Sequence, residues 1–149
     1  MVGWREWLSL PELGIYQVKA KVDTGARTSA LHAFDLEYFK QEDHLMVYFR
    51  VHPIQRDTSF TIEATAPVLD QRDIRNSSGG TQHRPVIRTY ASLGAQRWPI
   101  ELTLANRDVM GFRMLLGREA VRNRFVVDPG SSYLMSPSDS LAHQRYSGG

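Results

Sequence analysis

The sequence predicts one mainly-β domain, a sandwich or a barrel. Three observations carry that expectation. Short runs rich in β-branched and aromatic residues recur along the chain, separated by Gly, Pro, Asn and Asp signals. A single segment, Arg118 to Phe125, reads as a helix, and it comes late. The 149 residues suit one domain. At that length roughly 70% of the unfolded surface is buried on folding, so no staples are required.

Taken in order, Ile15 to Val22 alternates apolar and polar residues and runs straight into Asp23, with Ile15, Val18 or Ala20, and Val22 as inward positions. Ser29 to Phe34 reads as a second short strand. Leu45 to Val51 and Ser59 to Val68 are strands by composition, with Pro53 and Gln55-Arg56-Asp57 as a loop between them. Asp70 to Arg84 is polar and carries Gly79-Gly80, which reads as a loop or a projecting hairpin tip. Val86 to Tyr90 and Trp98 to Leu104 are strands joined by a turn over Leu93 to Gln96. Met114 to Gly117 is a short apolar strand that opens into the Arg118–Phe125 helix of about two turns. Val126 to Gly130 reads as a turn before Tyr133-Leu134-Met135. Residues 136–149 form a polar tail expected to fray, leaving 1–135 as the domain. Trp4 and Trp7, at helical spacing before Pro11, anchor the N-terminus.

Composition excludes several chemistries. There is no cysteine, so disulfides, thiolate metal sites and a cysteine nucleophile are absent, which fits a reducing cytoplasm. No apolar run reaches a membrane span and no secretory signal precedes the first strand, so a cytoplasmic location with no membrane partner is expected. Net charge is +2, too small to argue for nucleic acid. The cations are lopsided, 15 Arg against 3 Lys. Arg pairs carboxylates or phosphates through a fixed fork that Lys cannot copy, although compositional bias gives the same count.

The chemistry-bearing segment is Ala20-Lys21-Val22-Asp23-Thr24-Gly25-Ala26-Arg27-Thr28. A strand ends in a tight turn that presents Asp23. Thr24 is placed to hydrogen-bond back into the loop, and Gly25 allows close backbone approach. On its own Asp-Thr-Gly is also what an ordinary β-turn offers. Downstream, Leu115-Leu116-Gly117-Arg118 ends an apolar strand in Gly and opens a helix.

The two segments together resemble the retropepsin-like aspartic peptidases. The likeness is closer still to one branch, encoded beside RimK-type ATP-grasp glutamate ligases and formerly labelled ATP-dependent zinc proteases. Gly3-Trp4-Arg5-Glu6, Lys19 to His32, and Met110 to Arg118 carry it, within a span from about Gly3 to Leu134. The resemblance implies a retropepsin-like closed β-barrel with one short C-terminal helix. It implies catalysis by Asp23, an active-site loop of Thr24, Gly25 and Ala26, and a supporting layer of Leu115, Leu116, Gly117 and Arg118 behind it.

Such chemistry needs two carboxylates sharing one proton. This chain has one Asp-Thr-Gly, so the second Asp23 must come from a second chain, and a homodimer is expected. A flap over the substrate is expected either near Pro53 to Thr58 or, preferred, at Gly79-Gly80. In typical retropepsins the residue after Asp-Thr-Gly-Ala is acidic and pairs with the Arg behind the loop. Here it is Arg27, facing Arg118. Either Arg118 pairs with Glu119 or Asp128, or Arg27 serves an anionic substrate, which suits the glutamate-tailed products of the associated ligases.

No cofactor is expected. His32, His44, His52, His83 and His143 form no His-Glu-x-x-His and no i, i+4 pair, so no metal site is assigned. No phosphate-binding Gly-rich loop and no Gly-x-Ser-x-Gly elbow occur. The leading expectation is aspartic-type hydrolysis of peptide or isopeptide bonds. The alternative is a non-catalytic dimeric β-domain that binds an acidic peptide or the ligase.

Overall fold

The computed structural model describes residues 1–53, 60–75, 79–106 and 112–135. The strands are β1 (Val2–Leu10), β2 (Ile15–Asp23), β3 (Ser29–His32), β4 (Phe34–Gln41), β5 (His44–Val51), β6 (Ile62–Arg75), β7 (Thr81–Leu93), β8 (Gln96–Ala105), β9 (Met114–Gly117) and β10 (Val127–Ser132). The helix α1 spans Arg118–Val121. Strands β1, β2, β9, β3, β8 and β7 pair in that order, and Ser9 opposite Ser92 returns β7 to β1. The result is a closed six-stranded barrel with one short helix. Beyond it the sheet continues through β6, β5 and β4, and β10 flanks β1 on the other side.

Alternation builds the core. On β2, Val18, Ala20 and Val22 point inward while Lys19, Lys21 and Asp23 stay half-exposed on the opposite face. Leu31, Ile87, Leu102 and Leu116 meet them inside, all fully buried. Each such aliphatic side chain contributes about 1.5–3 kcal/mol relative to exposure.

Several elements differ from the sequence reading. The N-terminal residues form β1 rather than a helically spaced anchor. Trp4 lies edge-on to Phe112 at 5.9 Å, and Lys19 Nζ lies over both Phe112 and Trp7. The strand beginning at Ser29 stops at His32, and a separate strand, β4, starts at Phe34. Glu42 and Asp43, both at positive φ, turn it tightly into β5. The α1 helix is shorter than two turns. Arg122 turns extended and Asn123 takes a left-handed φ of 64°, which Asn tolerates. That bend lets Phe125 pack on Trp98 at 5.1 Å. Val127 onward forms β10, parallel to β1, where a turn was expected. Turn chemistry persists inside it, for Asp128 accepts the Gly130 N–H at 3.0 Å and the Ser131 hydroxyl at 2.9 Å. As an edge strand β10 tolerates Pro129.

Asp70 to Arg84 is the hairpin alternative, not a loop. β6 runs to Arg75 and pairs with β7 up to Thr81, making a long arm with Gly79 (φ 89°) and Gly80 at its end. The expected loop at Gln55-Arg56-Asp57 and the tail 136–149 lie outside the described residues, as do Met110 and Gly111.

Candidate active site

Asp23 is the last residue of β2 and lies opposite Gly117, the last residue of β9. The chain then turns. The Ala26 N–H donates to the Asp23 carbonyl at 3.2 Å, and the Gly25 N–H donates to Asp23 Oδ1 at 2.9 Å. One carboxylate oxygen is thereby fixed to its own loop, an Asx turn. Thr24 is exposed, and among the described residues its hydroxyl has no partner. The loop is closed by Asp23 itself, not by Thr24.

The loop rests on the segment expected behind it. The first amides of a helix lack intrahelical acceptors. Here Arg118 N–H donates to the Ala26 carbonyl at 2.7 Å and Glu119 N–H to the Arg27 carbonyl at 3.1 Å. The Gly117 N–H donates to the buried Ser29 Oγ at 2.9 Å. A Cβ on Gly117 would lie 2.4 Å from the Thr28 carbonyl oxygen. Its φ of −87° is ordinary, so glycine is required there for space. Leu116 sits in the core, and Leu115 lies on the face that carries Asp23.

That face can be followed across the barrel, because paired residues and i, i+2 neighbours share a side of a sheet. Asp23 and Lys21 lie on it, and Lys21 pairs with Leu115. Leu115 pairs with Ala30, Ala30 with Thr103, Thr103 with Val86 and Val86 with Asp70. Two residues further along the arm, Arg72 stands opposite Arg84. Leu115, Thr103 and Val86 are buried even though they point away from the barrel core. One continuous surface therefore runs from Asp23 to the arm.

The arginine question has a clear local outcome. Arg27 Nε donates to Glu119 Oε1 at 2.9 Å, both side chains well exposed. The charge order expected of a retropepsin is exchanged, with the cation on the loop and the acid on the helix. The hydrogen bond from Arg27 holds the Glu119 carboxyl below its usual range, and the nearby charges of Arg27, Arg72 and Arg118 add to this. Arg27 is raised in turn by that hydrogen bond. Arg118 forms no ion pair among the described residues; Asp128 is engaged within β10. Arg118 and Arg122 instead line a groove of ≈ 530 Å³ with Thr24, Val121, Phe125 and Val127. A smaller hollow of ≈ 230 Å³ lies beside Thr28, Ser29, Glu101 and Glu119.

Gly79 and Gly80 stand at the arm's end, next to residues 76–78, which lie outside the described set. Among the histidines, His83 Nδ1 meets Asp73 at 2.7 Å and its Nε2 meets Gln71, on the arm face away from Arg72. His52 bonds the Phe60 carbonyl. Among the described residues no group of three His, Cys, Asp or Glu converges on a metal position. His143 lies outside them. Sequence patterning did not place Arg72, Arg84 and Glu101 on this face, where strand register puts them. Their signal was the i, i+2 spacing of Asp70 and Arg72, which becomes readable once a strand is assigned there.

The whole described chain matches the family model described as RimB-like, retropepsin-like aspartic endopeptidase RimB, over residues 1–138. A probable alpha-L-glutamate ligase of Parasynechococcus marenigrum is 53% identical over 89% of this chain, and one of Shewanella pealeana is 42% identical over 99%. The chain spans only 28% and 32% of those relatives' own lengths. A solved structure from Legionella pneumophila, of a protein of unknown function, superposes with a TM-score of 0.73 at 23% identity, covering 89% of this chain and 95% of that one. It shares the fold. With Asp23 seated on the Gly117 layer and the barrel closed around it, the family match accounts for the whole arrangement: the chain belongs to the RimB-like family of retropepsin-like aspartic endopeptidases.

Proposed function

We propose that the protein is an aspartic-type peptidase acting as a homodimer, with one Asp23 from each chain. The observation that carries the reading is the loop. Asp23 is held by its own Gly25 amide and by a layer of backbone bonds to α1, yet its side chain stays half-exposed on the face away from the core. Among the described residues no second carboxylate bonds to it, so the pair is completed by a second copy. In that pair one carboxylate, ionised, takes a proton from water; the other, protonated, gives one to the scissile carbonyl oxygen. The hydroxyl so freed bonds to the carbonyl carbon; the tetrahedral intermediate then collapses as the C–N bond breaks, the first carboxyl passing its proton to the leaving amine and the second carboxylate taking back a hydroxyl proton, which leaves acid and amine.

Thr24, Gly25 and Ala26 form the loop in this reading, and Leu115, Leu116, Gly117 and Arg118 support it. The arm ending at Gly79 and Gly80 serves as the flap and contacts substrate. Arg27 lies beside the site, and its pairing with Glu119 keeps a cation there. The substrate is a peptide or isopeptide bearing added glutamates, and the partner is a RimK-type ligase. Relatives named as glutamate ligases support that link, since a domain like this one is a minor part of their length. The setting is the cytoplasm; no helix among the described residues is long and apolar enough to cross a membrane. The same relatives favour a second reading, a domain that binds the acidic product or the ligase without turnover.

A mass-spectrometric digest of pooled peptides, with and without glutamate tails and with metal stripped, separates the two. The peptidase reading expects cleavage by wild type and a loss of roughly 10²–10⁴-fold in Asp23→Asn with the fold intact. Equal cleavage by both, or none by either, contradicts it.

A further inference from the structure

We propose that the groove beside the Asp23 loop, rimmed by Arg118 and Arg122, receives a side-chain carboxylate of the peptide that lies across Asp23. The inference rests on the peptidase reading for where the peptide lies, and it names the two side chains that read its charge. Its first ground is position. Thr24, the residue after Asp23, lines the groove together with Arg118, Val121, Arg122, Phe125 and Val127. The space of ≈ 530 Å³ therefore begins one residue from the reacting carboxylate, about 3.8 Å along the chain.

The second ground is that both guanidiniums are open. Both residues are exposed, and among the described residues neither side chain has a hydrogen bond or an ion pair. The acids nearby are held elsewhere. Glu119, whose carboxyl feels the Arg118 charge, is bonded to Arg27, and Asp128 is bonded within β10. Two other cations of this corner are engaged, Arg27 with Glu119 and Arg124 over the Trp98 ring at 5.8 Å. The third ground is spacing. The Arg122 N–H donates to the Arg118 carbonyl at 2.9 Å, so the two residues stand one helical turn apart on one side of α1. Like charges at that spacing repel, and a carboxylate between them replaces the repulsion with charge-assisted hydrogen bonds. The first two amides of α1 play no part, since they donate to the Ala26 and Arg27 carbonyls.

The fourth ground is the apolar lining. Val121, Phe125 and Val127 suit the methylenes that carry a side-chain carboxylate, where a bare hydrated anion would gain nothing. A second copy seated groove to groove would bring two such arginine pairs together, so the charge favours an acidic peptide over self-association.

The test measures binding without turnover. The 149-residue chain carrying Asp23→Asn is titrated by fluorescence anisotropy with three peptides labelled at the N-terminus. Tetraglutamate amide has side-chain carboxylates only, tetraglutamine has a free chain end only, and tetraglutamine amide has neither. Arg118→Gln, Arg122→Gln and Arg97→Gln are then added singly; the last removes the same charge from β8, outside the groove. The Asp23→Asn parent is expected to prefer tetraglutamate amide. Arg118→Gln and Arg122→Gln are each expected to lose about 10-fold for that peptide alone, and Arg97→Gln to lose nothing. The proposal is overturned by equal binding of the three peptides, by a gain confined to the free chain end, by a preference that survives both groove substitutions, or by an equal loss in Arg97→Gln. Sedimentation velocity on the same samples covers the other occupant: a changed oligomeric state in Arg122→Gln assigns the groove to an interface between copies and overturns it too. Should a glutamine variant fail to fold, Arg→Lys at that position keeps the charge and removes the fork. A several-fold loss for tetraglutamate amide is then expected, and no change overturns the assignment. Because binding is read apart from cleavage, a wild type without turnover removes the peptidase reading and leaves this result to stand or fall by itself.

Discussion

Gly117 shows how one missing side chain sets the geometry of the site. The atoms that a Cβ would strike are the Thr28 carbonyl oxygen and carbon, at 2.4 and 2.5 Å, with the Ala26 oxygen at 3.1 Å. These are backbone atoms of the Asp23 loop and cannot rotate aside. Gly117→Ala is expected to cost about 1–3 kcal/mol in stability, as overpacking does. It should also reduce cleavage beyond what the unfolded fraction explains, because the loop itself is displaced. Thermal unfolding and turnover measured on one preparation check both. The Arg27–Glu119 pair works differently. Glu119 is lowered from 4.5 in the folded protein, so the pair's contribution is in place above that pH and is lost only as pH falls through the lower folded value. Both groups are exposed, so the contribution is small and screened by salt. Its role is to orient Arg27 against the helix.

At the scale of elements, α1 supports the loop and Trp98 supports α1. The Trp98 indole N–H donates to the Ala120 carbonyl at 3.0 Å in a buried position. Trp98→Phe keeps the ring packing on Phe125 but leaves that carbonyl without its partner. A loss of about 1–3 kcal/mol is expected. It is read as a lower urea midpoint with an unchanged slope; an unchanged midpoint would remove the bond from the account.

The same elements show what was legible in the sequence. β2 was readable because Val18, Ala20 and Val22 alternate with half-exposed residues up to Asp23. β9 was readable as a short apolar run closed by glycine. β1 was not, because both its faces are buried and Glu6 interrupts the pattern. That fully buried carboxylate accepts the amides of Gly3, Leu134 and Met135, and the last two are remote in sequence. β10 was hidden by Pro129-Gly130, whose turn chemistry survives on an edge strand. The arm was ambiguous because its described side chains on both faces are polar from Asp70 to Asp73 and leave no apolar stripe to read. Of the site, Asp23 and the Gly117 layer were visible as local motifs. The surface beyond it that carries Arg72, Arg84 and Glu101 was not, since only strand register places them together.

At the scale of the whole molecule, the closed barrel presents one rigid carboxylate and a face leading to the arm, which in the proposed reading is half of an aspartic site. The proposal requires a two-fold axis to supply the rest. The most direct test is to titrate inactive Asp23→Asn protein into a fixed amount of wild type, allow the chains to exchange, and follow cleavage per wild-type chain. If each site takes one Asp23 from each of two chains, mixed dimers are dead, and equal amounts leave about half the activity per wild-type chain. Activity per wild-type chain that stays constant at every ratio would mean that one chain carries a complete site, and would contradict the account.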